Sequence, residues 1–301
     1  MATFGHALFD RRCRLTIANP VATPNDFKST TTDVIEIDGG VADRRGTVGM
    51  RIKFNIIKTR KKEPNNSEIT VTNLSPSRRS SLQHKGVHVL LEAGYKDTGV
   101  SRLFSGDVRT IDHVRSDADW DTVMHLGDGE RAWKYARVNV SHAPGTRSAD
   151  VLRSLADAMG IELGNLDKQL SGINSVLDQG FAACGSASRA LDLFIRSIGK
   201  EWSVQDNELQ ILDPYAHLDL PVPEISPDSG LIGSPEMGSP PAKGKPALVK
   251  FKSLLIPTKP GARVKLKSKR YDGYVTVQAC TFSGDTSGDD WFTEIAGVIS
   301  K

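Results

Sequence analysis

Four aspartates lie close together in the sequence and resemble the ligand pattern of a calcium-binding loop: Asp117, Asp119, Asp121 and Asp128. A loop of the EF-hand type requires Gly at its sixth position and a bidentate Glu at its twelfth. Those positions hold Thr122 and Asp128 here. The pattern therefore favours a polar turn between two strands, and we predict no metal ion and no cofactor.

Histidine, serine and cysteine side chains form no recognisable catalytic motif. His84 and His88 are four residues apart, but Gly86 interrupts any helix that could align them. Ser186 lacks the flanking glycines of a GxSxG nucleophile turn. A nucleophilic role for Cys184 would need a nearby base, so we interpret it as a buried structural thiol.

Two alternative functions depend on single side chains in the middle of the chain. A cell-wall hydrolase could use Asp128, Glu130 or His142 as acid–base groups, although carboxylates are common in any polar turn. A peptidoglycan- or carbohydrate-binding module could be built on residues 147–212, with Trp202 stacked on a sugar. The alternation of Trp202 with Val204 favours a core position for Trp202 instead.

The densest positive charge lies in a turn-rich stretch between two alternating runs. Four basic residues occur within five positions: Lys58, Arg60, Lys61 and Lys62. The flanking pattern predicts a hairpin whose tip carries this charge. The tip is either a solvated loop or, as our hypothesis, a surface that contacts an acidic neighbouring protein.

Length and composition limit the classes of protein that need to be considered. The chain has 301 residues, 38% of them hydrophobic and 25% charged, which is typical of a globular protein with two or three domains. A net charge of +3 argues against a dedicated nucleic-acid binder. No apolar run approaches the ~20 residues of a membrane span, so we predict no membrane association. The N-terminus does not look like a secretory signal, and three cysteines cannot form a disulfide framework.

Alternation of apolar and polar residues predicts that the first 140 residues are mainly β-structure. The clearest run extends from Val48 to Ile57, with Met50, Ile52, Phe54 and Ile56 on one face. One short helix is expected from Pro76 to Gln83. The other predicted strands are Arg14–Ala18, Asp33–Ile37, Glu68–Leu74, Val87–Tyr95, Leu103–Val114 and Asp121–Leu126.

The middle of the chain changes to helical periodicity. One helix should begin at Ser148 as its N-cap and end at Gly160. A second should run from about Ser186 to Gly199, followed by a hairpin over residues 201–212 with a two-residue turn. The predicted core of this small α/β module consists of Leu152, Leu155, Leu191, Phe194, Trp202 and Leu209.

Residues 213–247 are rich in proline, which favours an extended connection. The β pattern then returns in Val249–Leu255, Arg263–Lys267, Gly273–Phe282 and Trp291–Ile299. This order predicts a mainly β protein with an α/β insert, built as two β domains or as one discontinuous β domain.

The order of turn motifs resembles that of a known family. The motifs are Phe104-Ser-Gly106, Leu126-Gly-Asp128-Gly129, Gly145-Thr146, Gly180-Phe181, Gly230-Leu-Ile-Gly-Ser-Pro235, Leu254-Leu-Ile-Pro257, Pro260-Gly261, Gly284-Asp285 and Asp290-Trp291. Their succession, from about Arg14 to Trp291, is similar to that of the baseplate hub proteins of contractile phage tails, the late-control and tail-hub group.

The resemblance implies a non-enzymatic homotrimer with two tail-tube-like β-barrel domains per chain and a helix–helix–hairpin module. The implied domains are 1–100, a split domain of 101–146 and 236–301, an inserted module of 147–215 and a Pro-rich linker of 216–235. Such a hub would join the hexameric tail tube, or a tube-end adaptor, to the trimeric spike. It would also contact baseplate wedge proteins and meet genome DNA only in transit. We therefore expect it in the virion baseplate after assembly in the host cytoplasm.

Overall fold

The computed structural model describes residues 10–22, 30–40, 49–82, 86–161, 173, 175–238 and 246–300. As predicted, the protein is mainly β. The strands are β1 (Arg11–Ala22), β2 (Thr30–Gly40), β3 (Ile52–Thr59), β4 (Ser67–Thr72), β5 (His88–Tyr95), β6 (Gly99–Ser116), β7 (Asp119–Gly127), β8 (Arg137–His142), β9 (Phe181–Ser186), β10 (Glu201–Gln205), β11 (Glu208–Leu212), β12 (Glu224–Ile225), β13 (Leu231–Met237), β14 (Leu248–Leu254), β15 (Arg263–Lys267), β16 (Asp272–Asp285) and β17 (Trp291–Ser300).

Helices are few and short. They are α1 (Pro76–Ser81), α2 (Glu130–Tyr135), α3 (Ser148–Met159) and α4 (Ala187–Ser197), with a 3-10 turn at Pro227–Ser229. Helix α1 begins at Pro76, as predicted, and ends at Ser81, before the predicted end at Gln83. Helix α2 was missed, because six residues are too few to show a helical period.

Thirteen of the described strands form one sheet. Its main path runs β13-β14-β17-β16-β3-β4-β7-β6-β5-β1-β2, and β15 pairs with β16 and β12 beside this path. Strand β3 is central, because it pairs with β16 on one side and with β4 on the other. One hydrophobic core contains buried residues from strands on both sides of the β3–β16 pairing.

The alternation predicted for β3 is confirmed in the structure. Ile52, Phe54 and Ile56 are all buried, and Met50 packs partly against the same core just before the strand. The strand begins later than predicted and continues two residues past Ile57. Because of this extension, Lys58, the first residue of the basic segment, lies on the buried face of β3.

The sheet is continuous across the domain boundary predicted near residue 100. Strand β6 pairs with both β5 and β7, and β7 pairs with β4, so β6 and β7 lie among the strands of the first predicted domain. Strand β3 in turn pairs with β16, which belongs to the second predicted domain. The division into two tube-like domains remains a prediction.

The middle of the chain has a separate hydrophobic core, as predicted. All six predicted core residues are buried: Leu152, Leu155, Leu191, Phe194, Trp202 and Leu209. The core begins earlier than the predicted start at residue 147, because Ala132 and Val138 belong to it and β8 pairs with β9. We call residues 130–212 with this core the inserted module.

Local signals set the ends of the module's elements. Gly160 ends α3 with a φ of +63°, as predicted. Helix α4 begins next to Ser186, as predicted, and the Ser186 side chain accepts a hydrogen bond from the Arg189 N–H. The prediction of Ser148 as an N-cap is wrong. Ser148 is the first helical residue, and its hydroxyl pairs with that of Ser175.

The Pro-rich segment contains secondary structure that proline density alone did not indicate. Strand β13 lies within it and pairs with β14 at the edge of the sheet. Pro235 falls where the register shifts between Ile232 and Glu236, and a bulge on an edge strand is a position that tolerates proline. The interpretation of the whole segment as an extended connection is therefore wrong for these residues.

Candidate functional site

The basic segment Lys58–Lys62 lies at the end of β3, where the sheet meets the inserted module. We call this contact the sheet–module interface. It brings the segment against the hairpin formed by β10 and β11 and against α4. The segment was predicted to project from the protein, and the structure turns most of its charge inward.

Lys58 is buried, and its ammonium group is the central charge of the interface. Its Nζ lies 2.6 Å from both carboxylate oxygens of Asp206, and the two side chains are 2% and 9% exposed. Asp206 also accepts a hydrogen bond of 3.1 Å from the Ser105 N–H of β6. A buried ion pair is favourable only with good geometry and added hydrogen bonds, and the two short contacts together with the Ser105 bond provide both.

Arg60 joins the segment to the chain that leaves the module. Its guanidinium donates to the carbonyls of Asp213 and Ala216 at 2.9 and 3.0 Å and lies 3.2 Å from a carboxylate oxygen of Glu201. Burial lowers the pKa of Arg60, and the charge of Glu201 opposes that effect. These bonds fix the end of the hairpin to the segment.

Lys62 contacts the helical side of the module. Its Nζ donates to Asp192 of α4 at 2.8 Å, and the indole N–H of Trp202 donates to the same carboxylate at 3.3 Å. Burial would raise the pKa of Asp192, but the hydrogen bonds from Lys62 and Trp202 bring it below its ordinary value. The carboxylate therefore links the helix, the hairpin and β3.

The four predicted contact residues thus have different surroundings. The structure contradicts an exposed position for Lys58, and Arg60 and Lys62 have acidic partners within the chain. Lys61 is exposed. Contact with a neighbouring protein stays a prediction, and in this structure Lys61 is the residue free to make it.

Asp128, at the turn after β7, is buried beside the Lys58–Asp206 pair. Burial raises the pKa of its carboxyl to about 7, the charge of Lys58 lowers it and that of Asp206 raises it. Within the described part of the chain, neither carboxyl oxygen has a hydrogen-bond partner of normal geometry. A buried carboxyl with a raised pKa can hold a proton near neutral pH.

The three acid–base candidates do not share a site. Glu130 pairs with Arg109 and Lys134, at 2.7 and 2.5 Å, while the His142 ring lies 2.9 Å from the Ser154 hydroxyl. Asp128 faces Lys58 instead. The structure therefore does not place an acid opposite a base among these residues.

The aspartates near the β6–β7 turn are acceptors for neighbouring polar groups. Asp119 accepts from the Asn73 amide at 2.8 Å, and Asp121 accepts from the Thr72 hydroxyl at 2.7 Å. Asp128 lies at the other end of β7. Among the described residues, no group of acidic, histidine or cysteine side chains could hold a metal ion.

Two further single-residue interpretations have opposite outcomes. Trp202 is buried, with its ring 5.5 Å from that of Trp133, so the predicted core position is confirmed. Cys184 is exposed, and its interpretation as a buried thiol is wrong. It lies on the two-stranded β8–β9 ribbon, where alternation leaves Ala182 and Cys184 exposed.

Sequence reasoning missed the exposed basic turn between β15 and β16. Lys267, Lys269 and Arg270 are exposed there, and in the described chain none of the three has an ion pair. Lys267 alternates with Val264 and Leu266, and the sequence therefore indicated the outer face of a strand there. Sequence reasoning also missed Asp206 and Asp192, since no pattern links them to β3.

No helix in the described ranges has the length and apolar character needed to cross a membrane. No family model matches the sequence, and no curated protein matches it.

Two solved structures of similar fold are tail proteins, one of them from a prophage. The 43 kDa tail protein of prophage MuSo2 from Shewanella oneidensis has a TM-score of 0.60 and 9% identity, with 95% of this chain and 98% of that chain covered. A tail protein from Neisseria meningitidis MC58 has a TM-score of 0.58 and 10% identity, with 95% and 96% covered.

A third similar structure belongs to a secretion apparatus. The Escherichia coli c3393 protein is described as a type VI secretion component with structural similarity to the T4 phage tail proteins gp27 and gp5. It has a TM-score of 0.55 and 9% identity, with 84% of this chain and 73% of that chain covered. The chain therefore has the fold of phage tail proteins, which confirms the resemblance at the level of the fold.

Proposed function

We propose that this chain is a structural hub of a phage tail baseplate, and that its role is not enzymatic. The observation that carries the proposal is the similarity of fold to two tail proteins. The similarity covers nearly the whole of this chain and nearly the whole of each tail protein. A shared fold alone does not fix a function. The surroundings of the candidate residues supply the further support.

The proposed hub is a homotrimer that joins the hexameric tube, or its adaptor, to the trimeric spike. Two tube-like β domains in each chain would give six in a trimer, which removes the mismatch of symmetry. Antiparallel strands lie on both sides of the β3–β16 pairing, in groups that each continue over several strands. These two groups support two β domains, with β6 and β7 in the group of β3 rather than in that of β16.

The other proposed contacts follow from this position. Wedge proteins would surround the hub in the virion baseplate, and genome DNA would pass through its channel only in transit. Assembly would take place in the host cytoplasm. Lys61 is the residue of the basic segment that we propose for a contact with an adjoining tail protein.

The hydrolase and sugar-binding alternatives receive less support from the structure. Asp128 is buried beneath the sheet–module interface, and Trp202 is buried in the module core. Neither side chain has the exposed position that attack on a cell-wall polymer or stacking on a sugar ring requires. Both residues instead connect parts of the fold.

The oligomeric state of the purified chain tests the hub directly. Light scattering after size exclusion should give three times the chain mass of 32.7 kDa over a range of concentrations. A monomer at every concentration, or a hexamer, contradicts the proposal. Sedimentation with insoluble peptidoglycan is the parallel measurement, and pelleting of a monomer would favour the binding module.

A further inference from the structure

The hairpin turn of the inserted module enters the end of the sheet core. The Asp206 carboxylate reaches Lys58 of β3 and the Ser105 N–H of β6. The Gln205 side chain donates to the Thr59 carbonyl at 2.7 Å. Strands β3 and β6 therefore hold the turn by polar contacts.

The β7–α2 turn closes around the same hairpin. Gly129 has a φ of +60°, and a Cβ placed there would lie only 2.7 Å from a methyl carbon of Val204. This close approach brings the preceding residue, Asp128, to the Lys58–Asp206 pair. The polar contacts are thus surrounded by tightly packed backbone.

The Lys58–Asp206 ion pair leaves the net charge at this point to Asp128. A neutral Asp128 adds no charge, whereas an ionised Asp128 adds one buried negative charge. Contacts with the Asp206 backbone and the Asn65 side chain lower the pKa of Asp128, but burial outweighs them and favours the neutral carboxyl. The ionisable or charged groups around this point are Lys58 of β3, Asp206 of the hairpin, Cys280 of β16, Arg109 of β6 and Glu130 of α2. Glu130 is held by two cations, Arg109 and the more exposed Lys134 of α2.

We propose that Lys58, Asp206 and Asp128 form a pH-sensitive latch, which holds the module's hairpin turn in the sheet core while Asp128 carries a proton and loosens it when that proton is lost. The proposal is independent of the proposed hub function, because it concerns a contact within one chain. The latch is a conformational switch at the contact between the sheet core and the inserted module.

The direction of the pH dependence follows from the pKa of Asp128. Burial raises that pKa from 3.8 to about 7 in the closed state. A carboxyl with a raised pKa stabilises the closed state fully below its ordinary pKa, and the stabilisation is lost as the pH rises through the closed-state value. The latch should therefore loosen progressively from about pH 4 to about pH 7 and change little above that range.

Cys280 provides a reporter of the latch within the chain. It is buried, and it lies opposite Lys58 in the β16–β3 register. Cys13 is also buried but lies on β1, away from the hairpin, and Cys184 is exposed. In a Cys184→Ser background, a thiol reagent should reach Cys280 only when the β10–β11 hairpin turn separates from the sheet core. It should reach Cys13 only when the sheet itself opens.

The experiment measures the labelling rates of Cys280 and Cys13 by mass spectrometry from about pH 5 to pH 8. Each rate is divided by the rate at which the same reagent labels glutathione at that pH, which corrects for the reactivity of a free thiol. The corrected Cys280 rate should rise by up to about tenfold per pH unit to about pH 7 and then level off. The corrected Cys13 rate should change much less. A flat Cys280 profile overturns the latch. An equal rise of both thiols overturns it too, because Asp128 would then act on the stability of the whole fold.

Variants identify the titrating group. Asp128→Asn stays neutral at all pH values and should give a slow, flat Cys280 profile. Asp112→Asn is the matched control, since Asp112 has an exposed carboxylate, and it should keep the wild-type profile. A wild-type slope that persists in Asp128→Asn contradicts the assignment. If Asp128→Asn does not fold, the profile of the unsubstituted chain still decides the proposal.

Discussion

Two basic turns of this protein have similar sequences and different surroundings. The segment Lys58–Lys62 continues β3 into the sheet–module interface, and three of its four cations pair with carboxylates of the module. The turn from Lys267 to Arg270 joins β15 to β16, and its three cations are exposed. A local count of charge does not separate the two turns.

The register of each strand explains the difference. Lys58 occupies the same face of β3 as Ile52, Phe54 and Ile56, so its side chain enters the core. In β15, Val264 and Leu266 are buried, and Lys267 falls on the other face. A lysine on the buried face requires a partner, and the module supplies Asp206.

The largest effect should come from Lys58→Ala. This change leaves the Asp206 carboxylate buried without its cation, which typically costs about 3–5 kcal/mol. Urea denaturation of the purified variant measures the loss of unfolding free energy. Lys61→Ala, three residues away and exposed, is the control and should stay within about 0.5 kcal/mol of the wild type. A loss below about 1 kcal/mol for Lys58→Ala would contradict the structural role given to this pair.

A smaller effect is expected for Arg60→Ala. The guanidinium bonds two carbonyls and pairs with Glu201, whose own side chain is 51% exposed, so solvent screens the ionic part. Loss of the hydrogen bonds should cost about 1–3 kcal/mol. The same denaturation assay applies, with Arg270→Ala as the exposed counterpart. Equal stability of the two variants would remove the distinction between the turns.

Lys62→Ser should cost less again. Asp192 keeps a second ion pair with Arg196 and its bond from Trp202, so the carboxylate is not left without partners. We expect a loss of about 1 kcal/mol or less and a small change in Trp202 fluorescence. A thermal melt that matches Lys58→Ala would show that the two pairs act as one unit.

The smallest effect should follow replacement of the exposed turn. The triple change Lys267→Ser, Lys269→Ser and Arg270→Ser removes three charges that have no ionic partner in the described chain, so stability should change by less than about 0.5 kcal/mol. The midpoint of thermal unfolding provides the test. A clear loss of stability would mean that this turn, like the first, is part of the packing.

The sequence alone predicted much of the architecture. Alternation located most strands, and helical periodicity with Gly160 and Ser186 located α3 and α4. The Asp206–Asn207 dipeptide predicted the hairpin, and the structure has φ values of +55° and +65° at these residues, as a two-residue turn requires. These signals are local, because each depends on residues within one element.

Only the tertiary structure decided which residues form the sheet–module interface. Lys58 and Asp206 are 148 positions apart and meet because β3 runs two residues beyond its hydrophobic pattern and the module folds back over its end. The burial of Asp128, which raises its pKa, likewise depends on packing between distant elements. Sequence periodicity assigns a side chain to a face of its own strand, whereas the partner on that face is set by long-range packing that local patterns do not encode.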